Sequence, residues 1–596
     1  MDVNIKSANM IDVEFMDVTF SAKENGKFKQ IIKGVSGRFL SGELTAIMGP
    51  SGAGKTCLLN ILTGYQVTGM QGAIKFSSSI NSTNDFAKRH KPKSCYILQD
   101  DTLPSFLTVE ETMMMCCCLK MDNLTKKTRK FLIDDILSNL GLDKCRDSRC
   151  QSLSGGQRKR VSIALELVDN PPIMFLDEPT TGLDSSSAAQ CVQVLKNLAR
   201  GGRTVVCTIH QPNASLYEQF DNVFVMAAGR CVYHGPTSST VDYLSTFGLN
   251  CPQYHNPADY LLEVVCGEHG DYFDILAAAA KDEKWRESLT TFRIHHMTDL
   301  QEVHSILPVG AGRPYETPSE WSRLLLLLKR NGRHVCRDHS VVHLKLFLNV
   351  LVGIGIGLVF QNCGNDSVKA VSNVGFLLTG LVYLTFTAIM PSVLRVPSEL
   401  AGLKKEVFNN WYSLKTYYAA LLLLDIPFQI VFSIVYSVPS YFISDQPRDH
   451  LRFCMVGLIH CLTSLVSSGF GLILGTLFNP INGTFIGSVA MALMLCLGGF
   501  LMMYPHMSAG AYYFTYLSFM SYATEGVVQA LYGYNRDDLH CSETEEYCRH
   551  ISPKLLLKEI GMEQDNYWFD VLYIFLVLIL FRSLAFSTLR RKVSSR

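Results

Sequence analysis

The sequence predicts a soluble α/β domain followed by an all-α domain of six membrane-spanning helices. Three observations carry that reading. The chain has 596 residues, long enough for several folding units. Hydrophobic residues make up 48% and charged residues only 18%, against about 25% charged in a typical soluble protein. The missing charge is missing from the second half alone. Lys and Arg number 54 against 53 for Asp and Glu, so no bulk electrostatic case for nucleic acid exists. Nineteen scattered cysteines do not form the pattern of a secreted disulfide scaffold.

The elements follow in order. The first residues, Met1-Asp2-Val3-Asn4, lack a charged-then-apolar leader, so the first half is expected in the cytosol. Residues 10–265 alternate short apolar runs with helix-like stretches and read as the α/β domain. Residues 266–317 mix Gly, Asp, Glu, Lys and Pro without period and read as a linker. Residues 318–342, with Leu324 to Leu328 followed by Lys329, Arg330 and Arg333, read as a connecting helix lying on a membrane surface. Residues 343–596 form the membrane domain. No charge occurs in 346–365, 370–394, 426–444 or 453–524, and Asn479-Pro480-Ile481-Asn482-Gly483 splits the last of these. A crossing needs about 20 apolar residues. Spans are therefore expected at 343–361, 370–392, 419–443, 453–477, 484–504 and 567–589. The sixth carries Asp570 and Arg582, which would snorkel toward opposite faces.

Basic residues set the orientation. Lys404 and Lys405 between spans two and three, and Arg590, Arg591 and Lys592 after span six, belong on the cytosolic side with both termini. Residues 505–566 then form an external loop. It holds Cys541 and Cys548, the one pair in an oxidising compartment, so a disulfide is expected there. Of the Asn-x-Ser/Thr sites, Asn81, Asn123, Asn213 and Asn482 fall on the cytosolic side and Asn365 lies close to the membrane. Little or no glycan is expected.

Three motifs carry chemistry. Gly49-Pro50-Ser51-Gly52-Ala53-Gly54-Lys55-Thr56 fits the phosphate-binding loop, with a strand-like run before it and a helix-like run after it. Its glycines let backbone N–H groups wrap phosphates, Lys55 reaches the β- and γ-phosphates, and Thr56 ligates Mg²⁺. Ile173-Met174-Phe175-Leu176-Asp177-Glu178 reads as a buried parallel strand with acids at its C-terminal end. Asp177 would hold Mg²⁺ through water, and Glu178 would polarise the attacking water. Leu153-Ser154-Gly155-Gly156-Gln157 opens a helix-like stretch and makes a second anion cradle. One nucleotide does not need two cradles in one domain.

The order and spacing of these motifs resemble the nucleotide-binding domain of ATP-binding cassette (ABC) transporters, a P-loop α/β fold. The resemblance makes Leu153 to Gln157 the signature motif, which closes on ATP held by a second copy. It makes Gln99 the Q-loop residue and an Mg²⁺ ligand, Asp184 the D-loop residue, His210 the switch histidine and Phe20 the adenine-stacking aromatic. Catalysis would then rest on Glu178 and His210. The reaction is phosphoryl transfer to water, and loss of the γ-phosphate lets two domains part.

Nucleotide-binding domain first and six spans second resembles the G subfamily (white-type) of half-transporters. Asn256-Pro257-Ala258-Asp259-Tyr260, Trp411-Tyr412-Ser413-Leu414-Lys415 and Asp538-Leu539-His540-Cys541 look closest to its sterol- and phospholipid-exporting members. The resemblance implies a second half-transporter chain as partner, in a homodimer or heterodimer. It also implies a cavity and gate from spans two and five: Phe376, Tyr383, Phe386, Met494, Leu497, Phe500 and Leu501. Residues 395–408 become a coupling helix resting on the nucleotide domain. The expected function is ATP-driven export of sterol or phospholipid across the plasma membrane or an endosomal one. Transport of pigment precursors or other amphipathic metabolites is the alternative. Asp425, an acid inside an apolar run, is either functional or placed at the cytosolic interface.

Overall fold

The computed structural model describes residues 10–24, 27–78, 94–122, 124–281, 317–337, 339–499, 502–541 and 548–594. Two compact units emerge. The first comprises residues 1–326 with 404–413, and the second comprises 327–403 with 414–595.

The first unit is built on two sheets. β1 (Ile11–Glu24), β2 (Lys27–Phe39) and β4 (Met70–Ser78) form an antiparallel sheet in the order β2-β1-β4. β3 (Leu44–Met48), β5 (Ser94–Ile97), β6 (Ile173–Leu176), β7 (Thr204–Thr208), β8 (Asn222–Ala227) and β9 (Arg230–Pro236) form the second, in the order β5-β6-β7-β3-β8-β9. The pairs among β5, β6, β7, β3 and β8 are parallel, and β3, β6 and β7 are buried along their whole length. Such strands need apolar side chains on both faces, which is why they read as unbroken apolar runs. Parallel order also brings the strand C-termini to one edge of the sheet, where ligand-binding loops gather. Around them lie α1 (Lys55–Thr63), α2 (Val109–Lys120), α3 (Lys126–Asn139), α4 (Gly155–Leu167) and α5 (Ser185–Arg200).

Among the described residues five helices are long and apolar enough to cross a membrane: Val342–Val359, Ala370–Phe408, Leu414–Ile443, His450–Leu477 and Tyr567–Ser594. The fifth expected span is a shorter apolar helix, Pro480–Cys496. It stops before Gly498-Gly499, and Gly499 adopts φ +79°, which a helix cannot contain. Small residues let the spans pack closely. A Cβ on Gly353 would meet the Tyr436 carbonyl at 2.8 Å, and one on Gly471 the Ile389 carbonyl at 2.7 Å.

Two further expectations are corrected, and the segment 505–566 gains detail. Its described residues include the helices Ala509–Thr515, Phe519–Tyr532 and Pro553–Ile560. Met520, Val527 and Leu531 enter the same core as Ile459 and Ile574 of the spans, because this segment has its own apolar period. Cys541 and Cys548 are joined by a disulfide here. Asp570 and Arg582 do not snorkel. Asp570 is 1% exposed, and Arg582 turns inward to Asp425 at 2.7 Å, since pairing two charges costs less than leaving either in hydrocarbon. Asp425 also accepts from Ser468 at 2.7 Å and Gln429 at 3.1 Å, so it sits in a packed polar cluster. Finally, the second span runs unbroken through Pro391 and Pro397 to Phe408, and its last turn from Lys404 belongs to the first unit.

Candidate nucleotide site

The phosphate loop follows β3. A Cβ on Gly49 would lie 2.0 Å from the Met226 carbonyl, so only glycine lets the loop turn there against β8. Gly52 and Gly54 take φ +78° and +98°, and α1 starts at Lys55. The N–H groups of a helix start thus open into the loop, where anions are stabilised. Lys55 is 7% exposed, and its ammonium donates to the carbonyls of Gly49 (2.7 Å) and Pro50 (3.1 Å). Burial pulls its pKa below the ordinary lysine value, against the attraction of Glu178 and Asp177.

Asp177 and Glu178 leave the end of β6 as expected. Asp177 is 6% exposed and accepts from Thr208 at 2.7 Å and Thr56 at 3.3 Å. Burial pushes its pKa up, opposed by those two hydroxyls. Glu178 sits at φ +44°, a left-handed conformation that a glutamate rarely adopts, which turns its side chain out of the strand. Gln99 donates to its carboxylate at 2.9 Å, and so does the Thr181 hydroxyl at 2.9 Å. His210 Nε2 lies 2.9 Å from Ser51 Oγ, so the histidine touches the phosphate loop. The structure therefore gathers Ser51, Lys55, Thr56, Gln99, Asp177, Glu178 and His210 around one loop.

This donor set fits the groups that the sequence implies. Thr56 and Asp177 offer oxygen to a hard divalent cation, and the Asp177 carboxylate is hydrogen-bonded by hydroxyls. Gly52 and Gly54, both at positive φ, let the loop curl so that backbone N–H groups can face a phosphate.

The signature segment is built differently. Ser154 caps α4 by exchanging hydrogen bonds with Gln157 in a capping box, 3.0 and 3.3 Å. Leu153 anchors the segment in the core, while Ser154 and Gly155 stay exposed. Gly156 packs on Ser187, where a Cβ would come within 2.9 Å of the serine Cβ. Ser187 in turn donates its N–H to Asp184, the cap of α5, at 3.0 Å. The D-loop and the signature segment thus share a contact.

Phe20 is not where the sequence put it, and the expected cavity residues differ in exposure. Phe20 is 2% exposed within the domain core beside Val18 and Ile32, so its ring offers no face to a base. Ile31, partly exposed, is the apolar side chain beside Gly54. Phe376 is 5% exposed and packs on Phe360 inside its own unit rather than lining an open face. Tyr383 donates to Asn349 at 2.9 Å and lies against Tyr436. Met494 packs on the unit's core, and the Leu497 carbonyl accepts from Ser521 at 2.7 Å. Among the described residues of this set only Phe386 is widely exposed, at 44%. Phe500 and Leu501 lie outside the described residues.

Sequence reasoning missed Thr208, Thr181 and Lys159. Thr208 is a hydroxyl at the end of a buried apolar strand, and its oxygen also accepts the Glu178 N–H at 2.8 Å. Lys159 donates from α4 to the Gln99 carbonyl at 2.9 Å and pairs with Asp101 at 3.1 Å. Its only sequence signal was a basic run after the signature segment.

Both halves of the chain are similar to known proteins. The family described as ABC transporter matches residues 32–181. The family described as ABC-2 type transporter matches residues 322–532, and a second family of the same description matches 210–272. ABC transporter G family member 21 of Arabidopsis thaliana is 30% identical over 96% of this chain and 87% of its own length. Member 26 of the same plant is 28% identical over 99% and 88%, and Protein white of Drosophila melanogaster 28% over 94% and 83%. The protein binds ATP and couples its hydrolysis to transport through a multi-pass membrane domain, and it belongs to the ABC transporter G family.

Proposed function

We propose that the chain is a half-transporter that exports lipid, sterol or phospholipid, from the plasma membrane or an endosomal one, with both termini cytosolic. Its working unit contains two such chains, identical or paired with another G-family member. The dimer reading rests on the signature segment. Ser154 and Gly155 are exposed at the start of α4, and Ser154 spends its hydrogen bonds on Gln157. Such a cradle can serve phosphates held by another copy.

Within each site the residues divide the work. Lys55 and the loop N–H groups would hold the phosphates, and Thr56, Asp177 and Gln99 would hold Mg²⁺. The ion would supply charge neutralisation for phosphoryl transfer. Glu178, fixed by Gln99 and Thr181, orients the attacking water and takes up its proton. His210, on Ser51, is placed at the γ-phosphate end of the loop.

One observation carries the lipid reading: an apolar, charge-free exposed face on the helices of the second and fifth spans. Residues 370–394 and the helix Pro480–Cys496 contain no Asp, Glu, Lys or Arg. Phe386, Phe485, Val489 and Leu493 are exposed there at 44%, 72%, 46% and 62%. Such a surface binds amphiphiles through burial of apolar area. The test is ATP hydrolysis by the reconstituted protein in phosphatidylcholine vesicles with and without cholesterol. Cholesterol is expected to raise the rate severalfold, and Glu178→Gln to abolish both hydrolysis and transfer. Stimulation by tryptophan-derived pigment precursors without any response to cholesterol would sink the lipid reading in favour of the alternative. Substrate flux that persists in Glu178→Gln would mark a gated pore instead.

A further inference from the structure

We infer that Asn409 is a positioning residue for Gln99: its carboxamide pairs with the edge strand β5 as a neighbouring strand would. The inference rests on the catalytic roles proposed for Gln99 and Glu178.

Among the described residues β5 lies at the end of its sheet and pairs with β6 on one side only. An edge strand leaves a row of backbone donors and acceptors open, and a buried one must find partners for them. Here the Tyr96 N–H donates to Asn409 Oδ1 at 3.1 Å, and Asn409 Nδ2 donates to the Tyr96 carbonyl at 3.0 Å. Both bonds of one strand residue are thus met by one carboxamide, with Tyr96 2% and Asn409 7% exposed. Only Asn and Gln carry an amide donor and acceptor in that fork, and Asn holds it on the shorter stem.

The fork is held in place from both sides. Lys405, 3% exposed, donates its ammonium to the Ser162 hydroxyl on α4. Phe408 sits edge-on to Tyr65 at 5.1 Å and to Tyr96 at 6.1 Å. Asn410 takes φ +58°, and the Asn410 and Trp411 N–H groups return to the carbonyls of Val407 and Glu406. That is a helix end of the left-handed capping kind, which fixes where Asn409 points. Trp411 then lies under the Lys120 ammonium at 5.5 Å.

From Tyr96 the chain passes through Ile97, whose carbonyl accepts the Asp177 N–H at 2.9 Å, and reaches Gln99 within one further residue. Gln99 holds Glu178. A shift of residues 404–413 therefore moves the strand that sets the catalytic carboxylate.

The test is a double-mutant cycle on the full-length protein in cholesterol-containing phosphatidylcholine vesicles. Asn409→Ala is expected to lower kcat about tenfold with KM for ATP changed less than twofold. In a Gln99→Ala background the same substitution is expected to cost less than twofold, because both act through one carboxylate. Asn409→Gln, which keeps the fork on a longer stem, is expected to recover part of the rate. Asn409→Ala hydrolysing at the parent rate would overturn the inference. So would losses that multiply across the cycle, or a KM that rises with kcat intact. If Asn409→Ala does not accumulate, Asn409→Asp, which keeps the acceptor and loses the donor, is read by the same criteria. Gln99→Ala alone reads the underlying assignment: full activity there would refute the role of Gln99 and this inference with it, whereas a slow Gln99→Ala with a fully active Asn409→Ala refutes only the inference.

Discussion

Two aspartates, one in each unit, meet the same physical problem and solve it oppositely. Asp177 is 6% exposed and takes hydrogen bonds from the hydroxyls of Thr208 and Thr56, with no ion pair within 4 Å among the described residues. Asp425 has the Arg582 guanidinium at 2.7 Å, with Ser468 and Gln429 filling its remaining lone pairs. It also lines a cavity of about 50 Å³ beside Arg395 and Tyr418. A buried carboxylate without a counter-charge is costly unless a cation completes it. The first unit leaves that place for a ligand, while the second fills it with its own arginine. An acid held by hydroxyls at a strand end, beside a phosphate loop, thus marks a binding position. An acid with a basic partner within the span bundle marks packing that must stay closed.

The difference predicts opposite signs for the same chemical change. Asp177→Asn removes a carboxylate that the ligand-free protein holds at a cost. ATP hydrolysis is expected to fall about 10³-fold, because several kcal/mol of metal-dependent charge stabilisation is lost. The thermal midpoint without nucleotide is expected to hold or rise, and its increase on adding MgATP to shrink. A large fall in the ligand-free midpoint would show that Asp177 is structural and break the contrast.

Asp425→Asn is expected to do the reverse. It strands Arg582 in the membrane unit, which costs about 3–5 kcal/mol in buried pairs of this kind. The melting transition of that unit should fall steeply while the hydrolysis rate per folded molecule stays near the parent value. Asp425→Leu with Arg582→Met, which removes both charges, is expected to recover most of the loss. Equal damage in the single and double variants would mean that Asp425 serves something other than Arg582.

The same contrast explains what the sequence disclosed. Ser51, Lys55, Thr56, Gln99, Asp177, Glu178 and His210 were legible because each sits at a strand end or loop whose spacing along the chain is short and rigid. The spans were legible from missing charge, since hydrocarbon excludes it at every position. What stayed hidden depends on contacts far apart in sequence. Asp425 and Arg582 are 157 residues apart, and Asn409 and Tyr96 are 313 apart. Period and composition give the two ends of such a pair but not their meeting. Phe20 failed for a related reason: an aromatic near a glycine cluster has the right chemistry, and only packing shows that its ring faces the core. Helix ends inside the membrane unit were misjudged where Gly498-Gly499 stops a run that remains apolar.

The smallest expected effects come from single hydroxyls, and they sharpen the contrast most finely. Thr208 Oγ donates to Asp177 at 2.7 Å and accepts from the Glu178 N–H at 2.8 Å, so one atom ties both acids of the site together. Ser468 Oγ donates to Asp425 at 2.7 Å, where an arginine already carries the charge balance. Thr208→Val and Ser468→Ala each remove one such donor, and each is expected to cost about 1–2 kcal/mol of stability or less. Only Thr208→Val should slow hydrolysis, by about tenfold, because it frees the turn that aims Glu178. Ser468→Ala should leave kcat and KM for ATP where they are. Paired measurements of melting and steady-state hydrolysis separate the two. A rate loss in Ser468→Ala as large as that in Thr208→Val would mean that the polar cluster around Asp425 acts on hydrolysis, and that the two aspartates differ in place but not in kind.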